Sequence, residues 1–167
     1  MKRWLFAGAV ALLLLFVWYR SRQPRFIAGE QAPDFEVTLA DGTPFRFSDL
    51  QGKYVLLQFW GSWCGPCRAE NPHLAELYRR YHQAGLEIVS IGIERNPAAW
   101  QKAIAADGLV WPYHSADFQE FGNPVARLYN VNAIPTTFLI NPDGAIMGVS
   151  LSPKAMDKLL ADKLLQN

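Results

Sequence analysis

Cysteine is nearly missing from this chain. Only Cys64 and Cys67 occur among its 167 residues. If they act as a pair, no thiol is left for a structural disulfide framework, so the hydrophobic core must hold the fold. Histidine is as scarce. His73, His82 and His114 show no repeated Cys/His spacing, while tetrahedral zinc takes about four ligands, so no metal site is expected. A surplus of one charge is also absent. Sixteen Lys and Arg face fifteen Asp and Glu, for a net charge of +1. No basic stripe interleaves with aromatics, so nucleic acid is not indicated as a partner. There is no internal repeat and no low-complexity run.

What is present centres on Trp63-Cys64-Gly65-Pro66-Cys67. Two thiols in a Cys-x-x-Cys spacing read as a redox pair, against the alternatives of half a zinc knuckle or plain buried cysteines. The flanks supply the reason. Tyr54 to Trp60 is a short apolar and aromatic run of the kind that forms a strand buried on both faces. After the motif, Leu74, Leu77, Tyr78 and Tyr81 fall at i, i+3, i+4 and i+7, one stripe of an amphipathic helix. The motif thus sits where a strand hands over to a helix. Unpaired N–H groups and the helix dipole there favour a thiolate at Cys64, below the ~8.5 of a free thiol. Cys64 is the expected nucleophile, and Cys67, one turn further in, the expected resolving thiol. Pro66 is tolerated in that first turn because the helix does not need its missing donor.

The N-terminus has a different character. Trp4 to Tyr19 contains no charged or strongly polar side chain, with Lys2 and Arg3 before it and Arg20, Arg22 and Arg25 after it. As a helix it would span ~24 Å, slightly less than a ~30 Å hydrocarbon core, with flanking Arg, Trp and Tyr reaching the interfaces. A cleaved signal peptide is the alternative, but no small-x-small site follows and no cysteine is available for lipid attachment. Residues 1–22 therefore read as an uncleaved single-span anchor, 23–31 as a linker and 32–167 as one domain with its own core. Positive residues flank both sides of the span, so charge alone does not orient it.

Several separated motifs resemble the thioredoxin fold, and more closely its membrane-anchored TlpA/ResA-like branch of thiol-disulfide oxidoreductases. Phe59 to Arg68 is similar to the active-site segment, with Pro72 where the long helix of that family kinks. Ile134-Pro135-Thr136-Thr137-Phe138 resembles the loop whose cis-proline faces the disulfide, and Asn141-Pro142-Asp143-Gly144 the turn into the last hairpin. Ala32-Pro33-Asp34-Phe35, Asp41-Gly42 and Ser48 to Lys53 resemble the added N-terminal hairpin of the branch. The match spans about residues 30 to 165. It implies an α/β thioredoxin-like fold: a mixed central sheet flanked by helices, an N-terminal β-hairpin extension and a central insertion near Glu94 to Asn123.

The resemblance also implies function. The site would comprise Cys64, Cys67 and Glu70 as catalytic residues, with Trp63, Gly65, Pro66, Ile134 and Pro135 at the client-binding surface, no metal, and no cofactor beyond the Cys64–Cys67 disulfide. Small thioredoxins carry a buried aspartate before the motif where this chain has Gln58. The membrane-anchored branch instead carries a glutamate three residues after the second cysteine, here Glu70, on the helix face of Cys67. The implied activity is protein-disulfide reduction, since the Gly-Pro dipeptide matches thioredoxin, whose potential is about −270 mV. Implied partners are client proteins with cysteines or disulfides, such as apocytochrome c, a membrane thiol-relay protein as electron donor, and the membrane itself. The implied location is the cytoplasmic membrane, single-pass, with the domain in the periplasm or extracytoplasmic space as a monomer. Two alternatives belong to other classes. A peroxiredoxin-type peroxidase needs Pro-x-x-x-Thr/Ser-x-x-Cys, which the residues before Cys64 lack. A Sco-like copper chaperone uses a wider Cys spacing and a distant His.

Local signals predict strands at 54–60, 86–93, 136–140 and 145–150 and a short one at 111–114. They predict helices at 64–83, 97–106, 124–130 and 153–165. Asn96-Pro97, Asn123-Pro124 and Ser152-Pro153 open three of these helices by the same device, a capping side chain followed by proline at the first helical position. Trp60 and Trp63 are candidates for either packing or the contact surface. Glu94 reads as a solvated loop residue, and the three histidines as surface or packing groups.

Overall fold

The computed structural model describes residue 8, residues 12–16 and residues 26–165. The expected anchor at 1–22 and the start of the linker thus lie largely outside the described residues. Leu12 to Phe16 are helical with exposed side chains, and among the described residues no helix is long and apolar enough to cross a membrane.

The chain forms a hairpin of β1 (Glu36–Thr38) and β2 (Pro44–Arg46), then β3 (Tyr54–Trp60), α1 (Gly65–Tyr81), β4 (Leu86–Gly92) and α2 (Pro97–Ala106). β5 (Tyr113–Ala116), α3 (Pro124–Leu128), β6 (Thr136–Ile140), β7 (Ile146–Val149) and α4 (Pro153–Leu164) complete it. Five strands make one mixed sheet in the order β5-β4-β3-β6-β7. β3 pairs parallel with β4 and antiparallel with β6. This is the thioredoxin-like architecture, and it places β3, the strand that leads into Cys64, at the centre.

Alternation along β3 divides the core in two. Val55, Leu57 and Phe59 pack on one face with Phe35, Phe138 and Tyr129, while Leu56 and Trp60 pack on the other with Leu74, Tyr81 and both cysteines. Each fully buried large side chain contributes about 1.5–3 kcal/mol. The helical stripe Leu74, Leu77, Tyr78 and Tyr81 is buried as its spacing predicts. Asn96, Asn123 and Ser152 each cap a helix through the side chain, with proline in the first turn.

Some boundaries move. α1 begins at Gly65, with Cys64 as its cap, and ends at Tyr81, where a 3-10 turn over His82–Ala84 takes the chain to Gly85 at φ 111°. α3 stops at Leu128, short of the expected 130, and Asn130 has φ 53°. β5 lies at 113–116 instead of 111–114. Pro112 has no N–H to give a ladder, and the Trp111 side chain turns into the core. His114 is buried, stacked on Trp111, and its imidazole is pushed down to about 4 by desolvation. The end of the expected linker is tied to the sheet: Gly29 N–H donates to Ile146 O, and Ala32 N–H donates to Gly144 O.

Candidate active site

β3 ends at Trp60, and four residues later Cys64 caps α1. Its sulfur accepts the Cys67 N–H at 3.2 Å, and the two sulfurs form a disulfide. A thiolate left at Cys64 on reduction would therefore sit at the positive end of a 17-residue helix, against an N–H already aimed at it. Cys64 is 5 % exposed and Cys67 fully buried, so any incoming sulfur must meet Cys64. Gly65 and Pro66 between them are exposed.

The loop before Cys64 is held from outside the motif. Trp63 keeps its ring half exposed while its indole N–H donates to Ile93 O at 2.8 Å. A Cβ on Gly61 would lie 2.8 Å from that indole nitrogen, so only glycine leaves room for the contact. Trp60 is fully buried: the two tryptophans divide the roles weighed for them, Trp60 to packing and Trp63 to the surface. Glu94 corrects its expectation. Its side chain is buried, not solvated, and its carboxylate accepts the Ser62 backbone N–H.

Across the motif, the Ile134–Pro135 peptide is cis. Pro135 lines an open groove with Pro66, Glu70, His73 and Thr137. Ile134 is partly buried and packs against both core clusters. Burial pushes the Glu70 carboxyl above its ordinary value, and His73 pulls it partly back. The fold thus brings every residue singled out from the sequence, Cys64, Cys67, Glu70, Trp63, Gly65, Pro66, Ile134 and Pro135, to the carboxyl end of β3 or the groove beside it.

Beneath α1 runs a buried polar chain that the sequence motifs do not single out. Gln58 points from β3 toward α1, fully buried, and donates from Nε2 to Asn71 Oδ1 at 2.8 Å. Its Oε1 accepts from Ser90 Oγ at 2.8 Å, which in turn accepts from the Trp111 indole at 3.0 Å. Asn71 Nδ2 donates to Asp107 Oδ2 at 2.7 Å, and Arg68 pairs with the same carboxylate. One signal pointed toward this: a glutamine inside an apolar central strand must find partners for both ends of its amide.

The chain matches the model of the AhpC/TSA family over residues 28–149. It is 32% identical over 153 residues to Thiol-disulfide oxidoreductase ResA of Bacillus thuringiensis (strain Al Hakam), covering 92% of this chain and 86% of that protein. It is 40% identical over 118 residues to ResA of Geobacillus kaustophilus (strain HTA426), covering 71% of this chain and 66% of that protein. A solved thiol-disulfide oxidoreductase from Bacteroides fragilis NCTC 9343 superposes with a TM-score of 0.74 at 28% identity, over 81% of this chain and 100% of that one.

Proposed function

The chain belongs to the AhpC/TSA family, among the ResA-like thiol-disulfide oxidoreductases, and on that premise we propose that it reduces disulfides of client proteins outside the cytoplasm. The observation that carries this reading is a Cys-x-x-Cys pair capping α1, its outer sulfur next to exposed Gly65 and Pro66 and its inner sulfur buried.

The reaction balances with the residues present. In the reduced protein the Cys64 thiolate attacks one sulfur of a client disulfide; a Cys64–client disulfide forms and one client thiolate leaves. Deprotonated Cys67 then attacks the Cys64 sulfur, the Cys64–Cys67 bond closes, and the second client thiolate departs. Two electrons pass to the client, and the two protons that the Cys64 and Cys67 thiols give up balance the two that the client thiolates take up. Trp63, Gly65 and Pro66 form the contact surface, while the cis Ile134–Pro135 loop offers backbone for an extended client segment to pair with. Reduction rather than oxidation is favoured by the Gly-Pro dipeptide, which matches a couple of about −270 mV rather than the ~−120 mV of DsbA. Apolar Trp4 to Tyr19, with Leu12 to Phe16 helical and exposed, supports a single-span membrane anchor. A membrane thiol-relay protein would return electrons to Cys64–Cys67, and apocytochrome c is a fitting client.

Cys67→Ser tests this directly, because it leaves the first step and removes the second. Mixed disulfides on Cys64 are expected to accumulate, carrying proteins from outside the cytoplasm. Captured partners confined to the cytoplasm overturn the location, and no capture overturns the exchange mechanism.

Glu70 adds a role for the groove. It lies three residues after Cys67 on α1, in the groove beside the disulfide, and its raised carboxyl suits it to accept the Cys67 proton as that thiol attacks. Glu70→Gln is expected to slow release of the mixed disulfide by about tenfold or more. Losing a negative charge beside it, the Cys67 thiol should also titrate at lower pH. Single-turnover release and thiol titration measure both, and an unchanged rate and titration would sink the role.

A further inference from the structure

The loop carrying Cys64 is gripped by both ends of the crossover from β4 through α2. At the near end, Ile93 O holds the Trp63 indole and the Glu94 carboxylate holds Ser62 N–H. At the far end stands Asp107, the C-terminal cap of α2, with a side chain only 9 % exposed. Its carboxylate accepts Arg68 Nε at 2.5 Å and Arg68 Nη2 at 2.7 Å, the two-pronged geometry that makes guanidinium–carboxylate pairs specific. It also accepts Asn71 Nδ2 at 2.7 Å. Arg68 follows Cys67 directly, and its Nη1 lies 3.5 Å from Ser62 O, two residues before Cys64. The N–H of Ser62 therefore donates to a carboxylate, and its carbonyl faces a guanidinium donor.

We propose that Asp107 is a positioning residue for the dithiol: it fixes the Arg68 guanidinium against the Cys64 loop and shields part of its positive charge from the Cys64 sulfur. This rests on the exchange reading and deepens it. Reduction replaces a neutral disulfide with a thiolate at Cys64, so any cation near that sulfur favours the reduced form, and a carboxylate on the cation weakens the effect. Gln58 sits where small thioredoxins keep a buried acid, and it is neutral. Its amide joins the same chain through Asn71, which links the Asp107 carboxylate on α2 to the strand that leads into the motif. The other titratable groups around the loop are Glu94 at Ser62 and Glu70 and His73 in the groove, and each keeps its own charge when Asp107 is changed.

The test uses the full chain and two substitutions of opposite sign. Asp107→Asn keeps the shape and removes the charge. The Cys64 thiol should then titrate at lower pH, and the equilibrium with reduced glutathione should shift toward the dithiol by about threefold or more. Arg68→Gln leaves the carboxylate unopposed and should move both quantities the other way, while Arg68→Lys, which keeps the charge, should return them most of the way. If Asp107→Asn does not fold, the double variant Arg68→Gln with Asp107→Asn decides the matter: removing the carboxylate as well should bring both quantities back from the Arg68→Gln values toward those of the unaltered protein, and no return overturns the proposal. A purely structural role would lower the melting temperature while leaving both redox quantities in place, or would move both variants in one direction; either result overturns the proposal. Absence of exchange activity in the unaltered protein would instead strike the functional reading beneath it.

Discussion

Cys64→Ser is expected to abolish disulfide reduction down to the background of the reductant alone, without unfolding the protein. The step that starts turnover is formation of a sulfur–sulfur bond, and a serine hydroxyl, un-ionised near neutrality, can neither form it nor be regenerated by it. Cys67 cannot substitute, because its sulfur is fully buried under α1 while that of Cys64 lies at the helix cap. Cys67→Ser differs in kind, retaining the first attack and stalling afterwards. Measuring reduction of a model protein disulfide with the two variants side by side separates these outcomes. Residual turnover in Cys64→Ser above background would remove Cys64 from the mechanism. The fold should tolerate the change, since serine also caps helices well and can accept the N–H that the sulfur now takes.

The largest stability effect is expected at Asn71. It is fully buried and serves two partners, accepting from Gln58 Nε2 at 2.8 Å and donating to Asp107 Oδ2 at 2.7 Å. Asn71→Ala strands the Gln58 amide in the core and withdraws one donor from a mostly buried carboxylate. An unsatisfied buried polar group costs about 1–3 kcal/mol, more when charged. A loss of roughly 3 kcal/mol therefore follows, lowering the melting temperature by about 10 °C in a domain of this size. Asn71→Asp should be worse, because it sets a second carboxylate against Asp107 and cannot donate while ionised. Denaturant unfolding measures both. A loss below about 1 kcal/mol for Asn71→Ala would mean that water reaches Gln58 and that the chain of bonds is not dry.

Elements built from neighbouring residues were legible in advance. β3 at 54–60, α2 at 97–106 and β6 at 136–140 have the bounds that periodicity and caps predict. The apolar run, the Asn-Pro start and the glycine stop are each written within a few positions. β5 begins two residues later than its apolar run because Pro112 has no N–H to give the ladder and Trp111 is drawn into the core, a contact made only in the folded protein. The redox pair was equally readable, since its meaning lies in two cysteines and the strand and helix on either side of them.

Glu94 illustrates what could not be read. A glutamate after a strand is ordinarily solvated, and nothing near it in the chain says otherwise. Only the folded arrangement sets it against Ser62, 32 positions away. The polar chain is the same case, joining Gln58 to Asn71 across 13 positions, Gln58 to Ser90 across 32 and Asn71 to Asp107 across 36.

The chemistry of the two sulfurs, the strand-to-helix junction that activates one of them and the order of elements around it were already present in local sequence, because caps, periodicity and a four-residue motif act over one or two turns of chain. Which charged groups surround that junction was decided by packing. Parallel register sets Ser90 opposite Gln58, and the end of α2 sets Asp107 beside Arg68. Both are consequences of sheet closure and helix docking, to which no short stretch of residues commits by itself.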